Sequence, residues 1–294
     1  MGQTDSNNIF NFDNLWDLNN PSETEKKFRG ILPEIKESKN TSAYLQLLTQ
    51  IARTLGLQKK FDEAHKVLDE VEPILTDELQ VAKIRYLLER GRTFRSSKHP
   101  DKSRELFLKA YELSIKHNED NLAVDAAHML GIIEPYEEAQ RWNETAMKLA
   151  EKSSDEKAKG WLGPLYNNTA WNYHDNKEYQ KALEIFKKNV EWHTEKNSGQ
   201  KLIIAKWSVG RVLRSLNKTD EALVLQKNLL KEIEEKNLEP DGYVYEEIAE
   251  CNLIKNNKED AKKYFGLAHD LLSKDIWVAE HEKERLERIR TLMK

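Results

Sequence analysis

LYNNTAWNYHDNKEYQKALEIF (165–186), SVGRVLRSLNKTDEALVL (208–225) and EIAECNLIKNNKEDAKKYF (247–265) are three copies of one pattern. Each holds a small residue and, twelve positions on, a second one: Ala170 and Ala182, Gly210 and Ala222, Ala249 and Ala261. Towards the N-terminus the pair recurs as Ala127/Ala139, Gly91/Ser103 and Ala52/Ala64, so six units carry it. The second members follow one another at intervals of 36 to 43 residues. Self-similarity at such a period marks stacked supersecondary units, each burying its apolar face on the next. A small residue on each of two adjacent helices lets their backbones cross closely, and bulkier side chains then fill the flanks. Three positions after the first small residue stand Leu55, Phe94, Leu130, Tyr173 and Leu213, with Asn252 as the exception. Four after the second stand Leu68, Phe107, Phe186 and Phe265, with Asn143 and Gln226 departing.

This succession of a small residue, an aromatic, a second small residue and a Phe resembles the tetratricopeptide repeat superfamily. The resemblance covers about 44–272 and all six units. Family units usually have 34 residues. These average about 39, the long-repeat variety found in kinesin light chains and bacterial peptide-pheromone receptors. The strings DAAHML and LYNNTAWNYHD are also similar to uncharacterised bacterial proteins of this repeat class. The resemblance implies an all-α, right-handed solenoid of helix hairpins that acts as a protein- or peptide-binding scaffold without catalysis; the alternatives are a sensor that responds to a small anion or signalling peptide, and an enzyme with no recognisable motif.

The ends extend the pattern. Asn20-Pro21-Ser22-Glu23 predicts a helix start, with a capping side chain, Pro in the first turn and an acid near the positive dipole. Thr24 and Phe28 stand 40 residues before Ala64 and Leu68, so 21–38 reads as the lone second helix of a half repeat, broken or bent near Pro33. Residues 276–294, with Trp277, Leu286, Ile289 and Leu292 among many charges, predict one capping helix over the last apolar face. Residues 1–20 are expected to be flexible, or partly folded back through Phe10, Phe12, Leu15 and Trp16. A chain of 294 residues suggests two domains by length alone, but the repeats predict a single stack over 21–275.

Composition narrows the function classes. Gly (11) and Pro (7) are scarce and 33% of residues are charged, which suits helices with one wet face and excludes collagen-like and low-complexity chains. Lys plus Arg (47) nearly balances Asp plus Glu (51), leaving a net charge of −4 and no global attraction to nucleic acid or an acidic membrane. About 40 residues precede the first unit, too few for an added helix-turn-helix module. One cysteine, Cys251, forms no internal disulfide and fits a reducing, cytoplasmic setting. No stretch reaches 18 apolar residues, and no basic-apolar leader opens the chain.

By resemblance to the family, residues one and four positions after the first small residue, and three before it, face a concave groove. The candidate ligand-binding set is therefore Arg53, Arg92, Arg95, His128, Asn167, Trp171, His174, Trp207, Arg211 and Arg214. Units two and five even share Gly-Arg-x-x-Arg-Ser, at Gly91 and Gly210. Arginines three apart on a helix are neighbours and repel, a strain relieved when a carboxylate or phosphate sits between the guanidinium forks. An extended acidic peptide or a small anion would do this, with the tryptophans as stacking platforms. The second possibility is an internal ladder, with Glu89, Asp125, Asp175, Glu246 and Glu250 neutralising the arginines. Full pairing of Arg92 and Arg211 to protein carboxylates would favour the ladder. The carboxylate clamp of chaperone-tail binders is not matched, since Thr49, Arg53, Glu89, Asn121 and Asp125 occupy its positions.

Other signals are weak. Met1-Gly2-Gln3-Thr4-Asp5-Ser6 matches an acylation pattern at Gly2, without the basic cluster that stable anchoring needs. The eight histidines form no HExxH pair, and no glycine-rich phosphate loop or Gly-x-Ser-x-Gly elbow occurs, so no metal, cofactor or catalytic residue is predicted. His174-Asp175 diverge by about 100° as helix neighbours and read as separate surface groups. The partner's identity and the oligomeric state have no signature in the sequence.

Overall fold

The structure is a computed structural model that describes residues 12–294; Gly2 and Phe10 lie outside the described part. Every regular element among the described residues is helical. The chain divides into two compact units, with the boundary between Trp161 and Leu162. In the first unit α1 (Pro21–Glu37) precedes three hairpins: α2 (Thr41–Leu57) with α3 (Phe61–Val71), α4 (Gln80–Ser96) with α5 (Pro100–His117), and α6 (Asp120–Ile133) with α7 (Tyr136–Lys152). The single turn α8 (Glu156–Lys159) follows. The second unit repeats the scheme in α9 (Leu162–Asp175) with α10 (Tyr179–Glu195), α11 (Gln200–Ser215) with α12 (Thr219–Glu235), and α13 (Gly242–Ile254) with α14 (Lys258–Leu272). It ends in α15 (Ile276–His281) and α16 (Lys283–Leu292).

All six pairs of small residues lie where two helices of a hairpin meet, and all are buried. Gly91 shows why the position must be small: a Cβ there would sit 2.5 Å from the Phe107 ring. Phe28, Leu68, Phe107, Phe186 and Phe265, the row four after the second small residue, are fully buried. The two departures from that row are compensated opposite them. Asn143 lies against Gly131 and Gln226 against Gly210, glycines that leave room for a polar head, and Gln226 donates to the Trp207 carbonyl at 3.0 Å.

Five of the hairpins turn in the same way. A left-handed residue follows the first helix at Lys59, Lys98, Lys177, Asn217 and Asn256, with φ between +59° and +67°. The next N–H then reaches back to the residue three after the first small one: Lys60 to Leu55, His99 to Phe94, Glu178 to Tyr173, Lys218 to Leu213 and Asn257 to Asn252, at 2.8–2.9 Å. This six-to-one bond satisfies a carbonyl that the helix end leaves open. Asn252, the exception in its row, is buried at such a turn, donates to the Ile248 carbonyl at 2.9 Å and accepts from Asn257 at 3.2 Å. In the remaining hairpin Pro135 forces Glu134 into an extended conformation and begins the second helix without a left-handed residue.

Two expectations at the ends are corrected. α1 runs unbroken through Pro33 to Glu37. Pro33 lies on the exposed side, as does Arg29, whose carbonyl loses its partner to the ring, while Thr24, Phe28 and Ile35 hold the opposite side in the core. Residues 276–294 form two short helices, because Glu282 leaves helical geometry (φ −117°, ψ 39°) after Asp275 has capped α15. Val278 and Ile289 are buried, whereas Trp277 is 56% exposed and stacks on His281.

Candidate functional site

The first helices of each unit carry the candidate residues, and the two units treat them differently. In the first unit the buried Glu89 of α4 accepts from Arg53 of α2 at 3.1 Å and from Arg92, one turn along its own helix, at 2.6 Å. Arg92 also bonds Asp125 of α6. Burial works against the Arg92 charge, but Asp125 and Glu89 outweigh it and hold the proton more firmly than usual. Arg92 is therefore internally paired on both sides. Arg95 has no carboxylate within ion-pair distance among the described residues. It stands, exposed, in the lining of a cavity of about 190 Å³ with Arg53, Gly56, Glu89, Thr93 and Met129. His128 lies 5.5 Å from the Trp161 ring with its Nδ1 buried and unpartnered. Burial, together with the charges of Arg92 and Arg95, outweighs Asp125 and keeps this imidazole neutral at lower pH than usual.

In the second unit Glu247 of α13 takes both faces of the Arg214 fork, with the Nη2 bond at 3.0 Å. Arg211 reaches the same carboxylate only at 3.8 Å and donates instead to Ser215 at 2.7 Å. Burial and the adjacent Arg214 charge loosen the Arg211 proton despite three nearby glutamates. Arg211 is thus the less satisfied of the pair. His174 Nε2 lies 3.0 Å from the same Ser215 hydroxyl, while Asp175 stays 3.5 Å from the other ring nitrogen. Burial and Arg211 outweigh Asp175 and lower the His174 pKa.

The aromatic candidates form a row across α9, α11 and α13. Trp171 packs on Phe186 at 5.1 Å and on Trp207 at 5.8 Å, and Trp207 on Tyr243 at 5.6 Å. The Trp207 indole N–H donates to the Tyr243 carbonyl at 3.0 Å. Both tryptophans thus lean on the core while keeping an exposed edge. Asn167 stands apart from the row and donates to its neighbour Asn168 at 3.2 Å.

Sequence reasoning anticipated Glu89 and Asp125 as partners but overlooked Glu247. The signal was present: all three stand two positions before the first small residue. In both units that position of one first helix receives a guanidinium from the first helix before it. Units four and five carry Asn168 and Ser208 there, which have no charge to offer. Glu246 and Glu250, the ladder's other candidates, bond Arg285 and Arg288 of α16 and act on Arg211 only through their nearby charge. Cys251 is buried beside Glu247, and burial followed by that charge pushes its thiol up to about 12. Among the described residues no group of three or more metal-ligating side chains occurs and no helix is long and apolar enough to cross a membrane.

Solved structures resemble this arrangement of hairpins. A signal-transduction ATPase with a tetratricopeptide repeat sensor from Pyrococcus horikoshii superposes with a TM-score of 0.73 at 16% identity, covering 90% of this chain and 42% of that one. The apo form of RapI gives 0.71 at 15% identity, over 90% and 77%. Kinesin-light-chain TPR-like repeats from Podosopora anserina give 0.55 at 17%, over 69% and 100%. The chain has the tetratricopeptide-repeat fold. No family model and no curated protein matches the sequence. Within this tetratricopeptide-repeat frame, Arg95 of the first unit has no carboxylate partner among the described residues, and Arg211 of the second shares one with Arg214.

Proposed function

We propose that this protein is a binding scaffold, acting without catalysis, whose first helices hold an acidic segment of a protein partner. The observation that carries this is the spare cation in each unit. Arg95 borders an open cavity without a carboxylate partner, and Arg211 shares a carboxylate that Arg214 already holds. A partner's Asp or Glu gives each guanidinium the bidentate contact it lacks. The anchoring role assigned to five arginines thereby contracts to Arg95 and Arg211, with Arg53, Arg92 and Arg214 holding the helices in register. In the second unit Trp171 and Trp207 offer their exposed edges to apolar side chains beside the acid that Arg211 holds. The single, buried thiol suits a reducing, cytoplasmic setting, and the near balance of charges gives no reason to invoke nucleic acid or membrane partners.

Fluorescence anisotropy with a labelled library of Asp- and Glu-rich decapeptides tests the proposal. Arg95→Ala and Arg211→Ala each weaken binding about tenfold, an effect that shrinks as salt screens the contact. Their melting temperatures stay at the parent value. Binding that survives unchanged in the double variant overturns the assignment.

A further inference from the structure

The first unit already holds an acidic, aromatic segment against its first helices, and that segment is its own. Residues 12–18 lie across α1, α2, α4 and α8. Phe12 and Trp16 meet the Phe28 ring edge-on at 6.3 and 5.3 Å. The Trp16 indole donates to Gln50 of α2 at 3.1 Å, and the Arg53 guanidinium stands over its ring at 5.8 Å. Between the two aromatics, both Asp13 carboxylate oxygens accept from Arg85 of α4, at 3.1 and 3.2 Å, and Lys157 of α8 donates at 3.0 Å. Arg85 stands six positions before Gly91, one end of the helix face whose other end carries Arg92 and Arg95.

The seating is partial. Phe12 is buried, but Asp13 keeps 30% of its side chain exposed and Leu18 63%. A cavity of about 230 Å³ remains between Asp13, Trp16, Arg85, Glu89 and Trp161. At its wall the Nε–H of Arg85 and Oε2 of Glu89, a residue only 3% exposed, are buried without a partner. One wants an acceptor and the other a donor, which a peptide backbone supplies from neighbouring residues. A small anion satisfies only the first.

We propose that residues 12–18 are a resident ligand of this face, and that the site exchanges them for a partner segment of the same chemistry: an aromatic residue, an Asp or Glu directly after it, and a second aromatic three residues further on. Phe12, Asp13 and Trp16 display that pattern. The inference rests on the scaffold reading above and names the class of segment it takes. Tethering gives the resident copy an effective concentration of about 1 mM, so a free segment competes poorly until the resident is weakened.

The test uses the full chain and a fluorescein-labelled peptide of residues 10–19. Asp13→Ala binds the peptide at least tenfold more tightly than the parent chain, and adding Arg85→Ala abolishes the gain. Equal binding by parent and Asp13→Ala, or a gain that survives Arg85→Ala, overturns the proposal. If Asp13→Ala unfolds, hydrogen exchange on the parent chain replaces it. Saturating peptide then accelerates exchange in residues 12–18 while 24–35 keep their protection, and no acceleration overturns the proposal. Failure here, with acidic decapeptides still lost on Arg95→Ala, removes the resident ligand and leaves the scaffold reading standing.

Discussion

Arg92 illustrates how a charge that looks available becomes structural. Its side chain is 15% exposed and lies between Glu89 and Asp125, themselves 4% and 10% exposed. Removing it leaves the buried Asp125 without a counter-charge and Glu89 with Arg53 alone, which costs about 3–5 kcal/mol. Arg92→Ala therefore unfolds at markedly lower urea concentration than the parent, whereas Arg95→Ala, which abandons no carboxylate, does not; equal midpoints would refute the distinction. The residue types and the spacing of both arginines were legible in the sequence. Which of the two would meet Asp125 was not, because one and four positions after Gly91 both read as the same face.

At the scale of the element, the hairpin turns explain how a chain with 11 glycines makes so many sharp reversals. Lys and Asn take left-handed positions that Gly would adopt at no steric cost. An L-residue with a full side chain loses about 1–2 kcal/mol there, Asn less because its side chain bonds locally. Part of that returns if Gly replaces it, offset by the wider freedom of glycine in the unfolded chain. Lys177→Gly is accordingly expected to stabilise the protein by about 0.5–1 kcal/mol, and Asn217→Gly by less, measured as shifts in thermal midpoint. A lower midpoint for Lys177→Gly would show that the turn gains more from its lysine than the backbone loses. The hairpins themselves were readable from the twelve-residue pairing. The turn chemistry was hidden, since Lys carries no turn signal of its own.

For the whole molecule, pH collects contributions that no single repeat displays. Burial lowers the pKa of His65, His128, His174 and His193 below the ordinary 6.5. The unfolded chain thus binds more protons than the folded one once the pH drops below about 6.5, and stability falls as the pH goes down through that window. The depressed carboxylates add their loss only at more acid values. Melting temperature should decline between pH 7.5 and 5.5, less steeply in His128→Gln; a flat profile would mean that these imidazoles are freely solvated. The sequence by itself determined the six hairpins and the buried rows, because burial on a helix recurs with a period that the chain records directly. Only the tertiary structure decided the charge pairing. Arg53 with Glu89 and Arg92 with Asp125 are 36 and 33 residues apart, and Asp13 stands 72 residues from Arg85 and 144 from Lys157. Which side chains meet across two helices depends on their relative rotation and rise, and periodicity within one helix does not encode that offset.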